Sequence, residues 1–151
     1  MFLNKDLFLN IVRSTPLCSI DILIKIKNKY VFGLRLNRPA RNYYFVPGGR
    51  IFKNENYELA IKRILKNEVG LLIKNLKYKI IGIYDHIYKD NVFEVKNINT
   101  HYFVCAIKIQ FNNELIIKPD EQHKKFILLT KTQALKHKKV HKFTKIYLKN
   151  E

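Results

Sequence analysis

The stretch FVPGGRIFKNENYELAIKRILKNEVGL, residues 45–71, decides the fold. It opens with an apolar, strand-like segment that ends at Pro47. Gly48 and Gly49 then allow a sharp turn and a close approach of the backbone to a ligand. Apolar residues recur after this turn at helical spacing and give a helix one apolar face: Tyr57, Ala60, Ile61, Ile64 and Leu65. The stretch therefore predicts a strand, a glycine turn and an amphipathic helix, in that order.

Both ends of the predicted helix carry capping residues. Asn56 is an N-cap, and Glu58 places a negative charge in the first turn, where the helix dipole favours it. Gly70 stands where a left-handed C-terminal cap belongs. These residues indicate where the helix begins and where it ends.

Glu68 departs from the helical pattern because it falls on the apolar face, seven residues after Ile61 and four after Ile64. It also lies at the negative end of the helix dipole, so a carboxylate turned inward there requires a cation. Mg²⁺ usually takes one or two carboxylates together with phosphate oxygens. We therefore predict that Glu68 is a metal ligand. The alternative is a frayed helix end with Glu68 paired to a surface lysine.

The spacing of glycines and charged residues resembles the Nudix box, the metal-binding and diphosphate-binding element of Nudix hydrolases. Five residues separate Gly49 from Glu55, seven separate Glu55 from Arg63, and Gly70 follows Glu68 by two positions. The resemblance implies hydrolysis of a substrate that contains a diphosphate.

The box lacks two acids that the family pattern usually carries. Ile64 directly follows the arginine and Asn67 directly precedes Glu68, where that pattern has glutamates. Fewer carboxylates predict fewer bound metal ions, here one. Without an acid beside it, Arg63 is expected to be free to reach a diphosphate.

Length and composition favour a single domain over residues 1–151. Cys18 and Cys105 lie in apolar, strand-like runs and are expected to be reduced core residues of a cytoplasmic protein. The first residues show neither a long apolar run nor a small-residue cleavage site, so no signal peptide is expected. No apolar stretch approaches the length of a membrane span, and no membrane partner is expected.

The formal net charge of +17 invites a nucleic-acid function, but the distribution of the charges argues against it. Six of the 29 basic residues are arginines, and the other 23 are lysines spread along the chain, as coding bias produces. Five of the six arginines fall between residues 35 and 63. The planar guanidinium of arginine binds phosphate oxygens with paired hydrogen bonds, which the lysine ammonium cannot do. The clustering of arginines therefore predicts a phosphate site and no nucleic-acid partner.

The remaining segments predict a mixed α/β or α+β architecture. A short helix is expected at 5–12, strands at 17–26, 29–36, 76–88, 99–110, 114–118 and 125–129, and a C-terminal helix that begins at Thr130. Helices between groups of strands pack on the faces of a sheet. This order matches the Nudix α/β/α sandwich with a central mixed β-sheet.

Further segments resemble the family of GDP-mannose mannosyl hydrolases across nearly the whole chain. They are VRSTPLCSIDILI (12–24), LRLNRPARNYYFVPGGR (34–50), YDHIY (84–88), NTHYFV (99–104) and PDEQH (119–123). Members of that family release GDP and mannose by attack of water at the anomeric carbon, with inversion. The resemblance implies the same reaction on a nucleotide-sugar, and it also implies a homodimer.

The resemblance also implies a site for one Mg²⁺, or Mn²⁺ in its place. The carbonyl of Gly48 and the side chains of Glu68 and Gln122 would hold the ion, which offsets the charge of the departing GDP. Three arginines would do the same by charge-assisted hydrogen bonds: Arg35, Arg50 and Arg63. Tyr102 would donate a hydrogen bond to the diphosphate, and the alternative for it is an ordinary strand aromatic.

His123 is the implied general base. It would take a proton from the attacking water, and imidazole titrates near neutral pH, which suits that work. His123 directly follows Gln122, so metal and base would be positioned together. The alternative is a solvent-exposed loop histidine, which is the expectation for His101, His137 and His141. His86 is expected to contact the leaving group, and Phe2 and Phe8 are candidates for holding guanine.

Asp21 interrupts the β-branched run SIDILI, where an acid is out of place. Four isoleucines take one face of this strand: Ile20, Ile22, Ile24 and Ile26. Asp21 takes the other face, toward the site, where it would stabilise positive charge on the mannosyl ring in an oxocarbenium-like transition state. A structural pairing of Asp21 with a nearby arginine is a compatible alternative.

Three other functions compete on the sequence. A Nudix pyrophosphatase that attacks phosphorus shares the box but normally carries more acids in the helix. An RNA-binding module would interleave aromatic and basic residues on exposed strands, whereas the aromatics here look mostly like core residues. A catalytically idle binding protein would not need Glu68, Gln122 and His123.

Overall fold

The computed structural model describes residues 3–117 and 123–151, and describes residues 123 and 124 by their backbone alone. Within these ranges one sheet has seven strands: β1 Leu17–Ile26, β2 Lys29–Arg35, β3 Tyr44–Phe45, β4 Gly48–Arg50, β5 Lys79–Tyr88, β6 Thr100–Phe111 and β7 His123–Thr130. The helices are α1 Lys5–Ser14, α2 Tyr57–Val69, α3 Lys131–Lys136 and α4 Lys142–Asn150. In the described part of the chain, no helix combines the length and apolar character needed to cross a membrane.

The sheet is mixed, as the sequence predicted. Its order is β3-β2-β1-β6-β5, with β4 also paired to β1 and β7 paired to β2. Strands β1 and β6 run parallel, and the other pairs are antiparallel. The parallel pair extends over the full length of β1, so the two strands form the centre of the sheet.

One face of the sheet packs against α2. The isoleucines of β1 are buried there, as predicted, together with Ile107 and Ile109 of β6. The helix contributes its own apolar face to the same core: Ala60, Ile61, Ile64, Leu65 and Val69. Asn56 caps the start of α2, where its side-chain oxygen accepts a hydrogen bond from the Leu59 amide at 2.9 Å. Gly70 ends it in the left-handed conformation with φ 71°.

The opposite face of the sheet packs against α3 and α4. Buried residues of this second core include Leu23, Phe32 and Phe45 from the strands, and Tyr147 and Leu148 from α4. A smaller cluster joins Val12 of helix α1 to Leu17 of β1 and to Ile98. Helices on both faces give the predicted α/β/α sandwich, and the predicted fold class is confirmed.

The strand predicted at 114–118 is wrong over 114–117, while residue 118 lies outside the described residues. Side chains in this segment do alternate between buried and exposed positions. Leu115 and Ile117 pack against the core beneath α2, and Ile116 between them is exposed. No strand in the described part of the chain pairs with this segment, so the alternation produces no ladder.

The single C-terminal helix predicted from Thr130 is divided in two. Thr130 does cap α3 as predicted, with a reciprocal hydrogen-bonded capping box to Gln133. The chain then leaves the helix because its backbone binds β3. The Tyr44 amide donates to Lys139, and the His141 amide donates to Tyr44. His141 starts α4 instead.

The cysteines are less buried than the sequence suggested. Cys18 is exposed and is not part of the core beneath α2. Cys105 is partly buried, and its sulfur lies 2.8 Å from the Tyr57 hydroxyl. Both thiols are free.

Candidate active site

The site forms where β4 lies beside β1, with Gly48 directly opposite Asp21. Both glycines of the Pro-Gly-Gly segment are extended strand residues, and neither has a positive φ, so the predicted sharp turn is wrong. Gly48 is needed for close approach: a Cβ there would overlap the Asp21 carboxylate and lie 2.8 Å from the Ile20 carbonyl oxygen. The glycine brings the backbone of the box against Asp21.

Glu68 lies on the α2 side of Gly48. Its side chain is 4% exposed, and its Oε2 accepts a hydrogen bond from the Gly48 amide at 2.9 Å. The inward orientation predicted for Glu68 is confirmed, and the alternative of a frayed helix end is wrong because the helix continues to Val69. Its role as a metal ligand stays a prediction.

The donors at this corner fit a hard cation. Glu68 offers a buried carboxylate at the negative end of α2, and the adjacent Gly48 offers a backbone carbonyl. Oxygen donors of these two kinds suit Mg²⁺. In residues 3–117 and 123–151, no three acidic, histidine or cysteine side chains group as a metal site. The third predicted ligand, Gln122, lies outside the described residues.

Arg63 is not free, contrary to the expectation from the missing acid. Glu55 holds it with two hydrogen bonds, from Arg63 Nε at 2.6 Å and from an outer guanidinium nitrogen at 2.8 Å. The Arg63 guanidinium also donates to the Arg50 carbonyl at 2.7 Å and lies 3.9 Å from the centre of the Phe52 ring. The hydrogen bonds from Arg63 hold the pKa of Glu55 below its usual value. The acid that neutralises Arg63 thus comes from the loop before the helix.

Arg50 lies between aromatic rings at the edge of the site. Its guanidinium is 3.9 Å from the centre of the Phe8 ring. Burial lowers the pKa of Arg50, and the neighbouring Tyr102 partly opposes that shift. The pKa of Tyr102 is raised by burial, which Arg35 and Arg50 partly offset. Phe8 is therefore placed beside a predicted phosphate ligand, whereas Phe2 lies outside the described residues.

Asp21 belongs to a buried network that the sequence did not predict. It is 8% exposed, and its Oδ2 accepts a hydrogen bond from the Tyr147 hydroxyl at 2.6 Å. The same hydroxyl is 2.9 Å from His86 Nε2. Since the hydroxyl proton is donated to Asp21, the hydroxyl oxygen accepts from His86, which assigns the proton of the neutral imidazole to Nε2.

The charge state of Asp21 reflects its burial. Desolvation raises its pKa from 3.8 to about 6, although the hydrogen bond from Tyr147 and the charge of Arg35 both act to lower it. At neutral pH Asp21 is therefore ionised, and a neutral donor, the Tyr147 hydroxyl, holds it. The predicted alternative of a direct pairing with arginine is replaced by Tyr147, with Arg35 acting at longer range.

His86 is buried, which corrects the expectation that it contacts the leaving group directly. Its side chain is 2% exposed and stacks on Phe143 with the ring centres 3.9 Å apart. Burial lowers the pKa of His86 to about 4, so it is neutral at pH 7. The structure leaves His86 the role of supporting Tyr147 and, through it, Asp21.

His141 also differs from the prediction of a solvent-exposed loop residue. Its Nδ1 accepts a hydrogen bond from the Phe143 amide at 3.3 Å and so caps α4. Its ring packs against Tyr43, Phe45 and Tyr88. Burial, then Lys142 and Arg35, lower its pKa to about 4. All three histidines that were expected to be solvent-exposed, His101, His137 and His141, are of intermediate burial.

Strand pairing brings two distant predicted residues together. Arg35, at the end of β2, lies directly opposite His123 at the start of β7. The Arg35 Nε donates to the Pro39 carbonyl at 3.0 Å, which fixes its direction beside Asp21 and Tyr102. The side chain of His123 is outside the described part, so its role as general base stays a prediction.

Tyr147 is the main residue that sequence reasoning missed. It lies in α4 beside Leu148, and both are fully buried, so the sequence pattern of this helix is that of core residues alone. Only the long-range pairing of its hydroxyl with Asp21, 126 positions away, distinguishes it from other core tyrosines.

Comparison with known proteins identifies the family. The NUDIX domain matches residues 22–149, which include Glu68 and the whole box helix. The chain belongs to the NUDIX domain family. It is a Nudix hydrolase, of a family whose enzymes act on small-molecule nucleotide substrates and typically use a divalent metal.

Two relatives and one solved structure illustrate the similarity. The chain is 32% identical over 114 residues to the low-salt glycan biosynthesis protein Agl8 of Haloferax volcanii, covering 75% of this chain and 70% of that protein. It is 32% identical over 69 residues to the ADP-ribose pyrophosphatase of Methanocaldococcus jannaschii, 46% of this chain and 40% of that one. A MutT Nudix hydrolase from Burkholderia pseudomallei superposes with a TM-score of 0.73 at 16% identity over 91% of this chain and 98% of that chain. This structure supports the fold alone.

Proposed function

We propose that this Nudix hydrolase cleaves GDP-mannose or a related GDP-sugar into GDP and the free sugar. Water attacks the anomeric carbon and inverts its configuration. The observation that carries the proposal is the distribution of buried carboxylates around Gly48. Helix α2 supplies one, Glu68, and strand β1 supplies the other, Asp21, across the same glycine.

This distribution suits attack at carbon better than attack at phosphorus. The positions in α2 that hold acids in the family pattern are Ile64, packed in the core, and Asn67, exposed. The helix therefore offers few ligands for a group of metal ions. Asp21 is instead available to stabilise positive charge on a sugar ring. The Agl8 match, a glycan biosynthesis protein, favours a sugar-containing substrate.

The proposed cofactor is one Mg²⁺, with Mn²⁺ as an alternative. The Gly48 carbonyl and the Glu68 and Gln122 side chains would hold it, and bound there it offsets the negative charge of the departing GDP. The amide of Gly48 donates a hydrogen bond to the Glu68 carboxylate at 2.9 Å, which holds that ligand beside the Gly48 backbone.

The proposed diphosphate ligands are Arg35, Arg50 and Tyr102. Arg50 is partly desolvated beside Phe8, which strengthens its attraction for phosphate oxygens. Arg63 is proposed to act through Arg50, since it donates a hydrogen bond to the Arg50 carbonyl and is neutralised by Glu55. Direct contact of Arg63 with a substrate would require exchange of the Glu55 carboxylate. Phe8, with Phe2, is the proposed holder of guanine.

The proton of the attacking water is proposed to go to His123. Its backbone lies opposite Arg35, so the start of β7 reaches the same end of the sheet as the arginine. Asp21 would face the sugar from the other side of Gly48, oriented by Tyr147 and His86. The base and the stabilising carboxylate then come from different strands.

The alternative function is that of a Nudix pyrophosphatase, which attacks phosphorus of a nucleotide-sugar or dinucleotide. The similarity to an ADP-ribose pyrophosphatase favours this alternative. It would use the same Glu68 and Gly48 but would leave Asp21 without a role in the reaction.

Product analysis separates the two functions. The chain is incubated with GDP-mannose and Mg²⁺, and the products are resolved by anion-exchange chromatography and NMR. We expect GDP and free mannose with inverted configuration. GMP and mannose 1-phosphate would overturn the proposal and support the pyrophosphatase. Parallel reactions with GDP-glucose, GDP-fucose and ADP-ribose identify the preferred substrate.

We also propose that the protein is cytoplasmic and acts on its small-molecule substrate as a homodimer. The two free thiols suit a reducing compartment.

A further inference from the structure

Phe52 lies in the loop between β4 and α2 and belongs to none of the three apolar clusters that the described residues form. Its neighbour Ile51, by contrast, packs against the core beneath α2. The Phe52 side chain is nevertheless partly buried. Its ring lies beside two cations, with the guanidinium carbon of Arg63 3.9 Å and that of Arg50 5.9 Å from the ring centre. Phe52 therefore meets charged rather than apolar side chains.

The backbone of Phe52 belongs to the same unit. Its amide donates a hydrogen bond to Glu55 Oε2 at 3.0 Å. The Glu55 carboxylate in turn accepts two hydrogen bonds from Arg63, and Arg63 donates a third to the Arg50 carbonyl. Oxygen atoms thus hold the edge of the Arg63 guanidinium, and the Phe52 ring lies against it. Ring and amide together tie the arginine of α2 to the end of β4.

Arg50 is held in a different way. In the part of the chain that the structure describes, its guanidinium has no hydrogen bond or ion pair, and it lies between the rings of Phe8 and Phe52. The guanidinium carbon is 3.9 Å from the centre of the Phe8 ring, which leaves no room for an N–H group between them. The ring therefore meets the face of the guanidinium. The N–H donors point outward in its plane, where phosphate oxygens can accept them.

We propose that Phe52 is a positioning residue for the diphosphate site: its ring holds Arg63 against the loop and borders Arg50, so that Arg50 presents its N–H donors to the diphosphate. An aromatic ring attracts a cation within about 6 Å of its centre and takes up none of the donors at the guanidinium edge. A carboxylate in its place would neutralise the arginine and occupy those donors, as Glu55 does with Arg63. This role rests on the proposed binding of a diphosphate, which the GDP-sugar hydrolase and the pyrophosphatase share.

The Phe52 ring also offsets a repulsion between the two arginines. Burial, and after it the like charge of Arg63, lower the pKa of Arg50. Glu55 compensates Arg63, and the electron-rich ring of Phe52 lies within reach of both cations. An aliphatic side chain at position 52 should let the two guanidiniums move apart. Arg50 would then lose its direction toward the diphosphate.

The test changes the electrostatics of the ring with little change in its shape. Phe52 is replaced by phenylalanines that carry one, two or three ring fluorines, which withdraw electron density from the face that attracts cations. The dissociation constants of GDP and of ADP, each with Mg²⁺, are measured by isothermal titration calorimetry. We expect the constants to rise with each fluorine, by roughly 2- to 30-fold over the series. Constants that stay unchanged over the series would overturn the proposal.

Ordinary substitutions and a matched control accompany the series. Phe52→Leu should weaken nucleotide binding by a comparable factor with an unchanged circular dichroism spectrum, and Phe52→Tyr, which keeps the aromatic face, should retain binding. The control is the same fluorinated residue at Phe111, because Phe111 packs against the core beneath α2. It should leave the dissociation constants unchanged. A Phe52→Leu protein that loses thermal stability but binds nucleotide normally would make Phe52 a packing residue and overturn the proposal.

Two further comparisons separate this role from the proposed function. Tighter binding of ADP than of GDP would contradict a GDP-sugar substrate, yet fluorination should still weaken it if Phe52 positions Arg50. In an Arg50→Gln background the fluorine series should have little further effect, because the arginine on which the ring acts is gone. An effect of full size in that background would overturn the proposal. A chain that binds neither nucleotide with Mg²⁺ would overturn both the diphosphate site and the role of Phe52.

Discussion

The two faces of strand β1 approach Gly48 with different chemistry. On the α2 side lies a dry core of isoleucines that ends at Glu68, and a backbone amide holds its carboxylate. On the α4 side, the Tyr147 hydroxyl donates to Asp21, and His86 in turn contacts that hydroxyl. A main-chain amide thus contacts one carboxylate, and a side-chain network holds the other.

This difference indicates that the two carboxylates have different roles in the reaction. A buried carboxylate beside a backbone carbonyl is of the ligand class that suits a hard cation. A carboxylate that is desolvated, ionised at neutral pH and held by the neutral Tyr147 hydroxyl suits the stabilisation of a developing positive charge. We therefore expect substitutions on the α2 side to abolish the reaction, and substitutions on the α4 side to weaken it in a graded way.

The largest effect is expected for Glu68→Gln. The amide oxygen can still accept the Gly48 hydrogen bond, so the fold should persist, but the negative charge of the ligand is lost. Metal ions stabilise transition-state charge by several kcal/mol, and the loss of kcat at ordinary Mg²⁺ should be about 10³-fold or more. Glu58→Gln, on the exposed first turn of α2, is the control and should retain activity. Near-normal turnover of Glu68→Gln would show that Glu68 is not a ligand.

His123→Gln should have the next largest effect. General-base catalysis typically contributes ~10²–10⁴-fold, and kcat should fall by an amount in that range while binding changes little. In the unmodified enzyme the rate should rise with pH through a histidine-like pKa and then level off, because only neutral imidazole accepts the proton. This ascending limb should disappear in the variant, and Lys124→Gln should keep it. If the variant retains both rate and limb, the base lies elsewhere.

Tyr147→Phe should weaken catalysis less. A hydrogen bond to a charged group is worth about 1.5–3 kcal/mol, so removing the hydroxyl should lower kcat by roughly 10- to 100-fold with little change in KM. Tyr84→Phe is a matched control in the same core, because its hydroxyl accepts a hydrogen bond from the exposed Asn150 amide at 3.0 Å and is not bonded to Asp21. Equal effects of the two variants would reduce Tyr147 to a packing residue.

The last variant, Asp21→Asn without metal, tests stability rather than turnover. Burial raises the pKa of Asp21 from 3.8 to about 6, so between these values the folded state binds more protons than the unfolded chain. Stability contributed by this group therefore falls as pH rises through that window. Above it, the ionised group costs up to ~3 kcal/mol.

Denaturant titrations at several pH values test this expectation. Asp21→Asn should match the unmodified chain below about pH 3.8 and should be the more stable of the two at about pH 8. Titration of His86 changes stability in the opposite direction. Because the pKa of His86 is lowered to about 4 in the folded state, its contribution to stability rises as pH rises from about 4 to about 6.5. The variant should therefore gain stability more steeply over that range. Asp6→Asn is an exposed control. A variant that is less stable at high pH would make Asp21 a structural ion.

The same comparison shows what a sequence can predict. Residues 45–71 contain their own caps, periodicity and inward acid, so local rules predicted α2, Asn56, Gly70 and the orientation of Glu68. The α4 side depends on contacts between segments far apart in the chain. Tyr147 and His141 have the local pattern of core residues and exposed loop residues, and only packing reveals their partners.

Two local predictions were wrong for physical reasons. Arg63 was expected to be free because its neighbour in the helix is apolar, but Glu55 reaches it from the preceding loop. The C-terminal helix was expected to be continuous, but residues 137–141 bind the edge of β3 instead. In both cases a contact outside the local window decided the outcome.

The product that receives the oxygen atom of the attacking water tests the central claim most directly. The enzyme is incubated with GDP-mannose and Mg²⁺ in ¹⁸O-water, and both products are examined by mass spectrometry. Attack at the anomeric carbon predicts ¹⁸O in mannose and unlabelled GDP. Label on a phosphate of either product would contradict the account and identify attack at phosphorus.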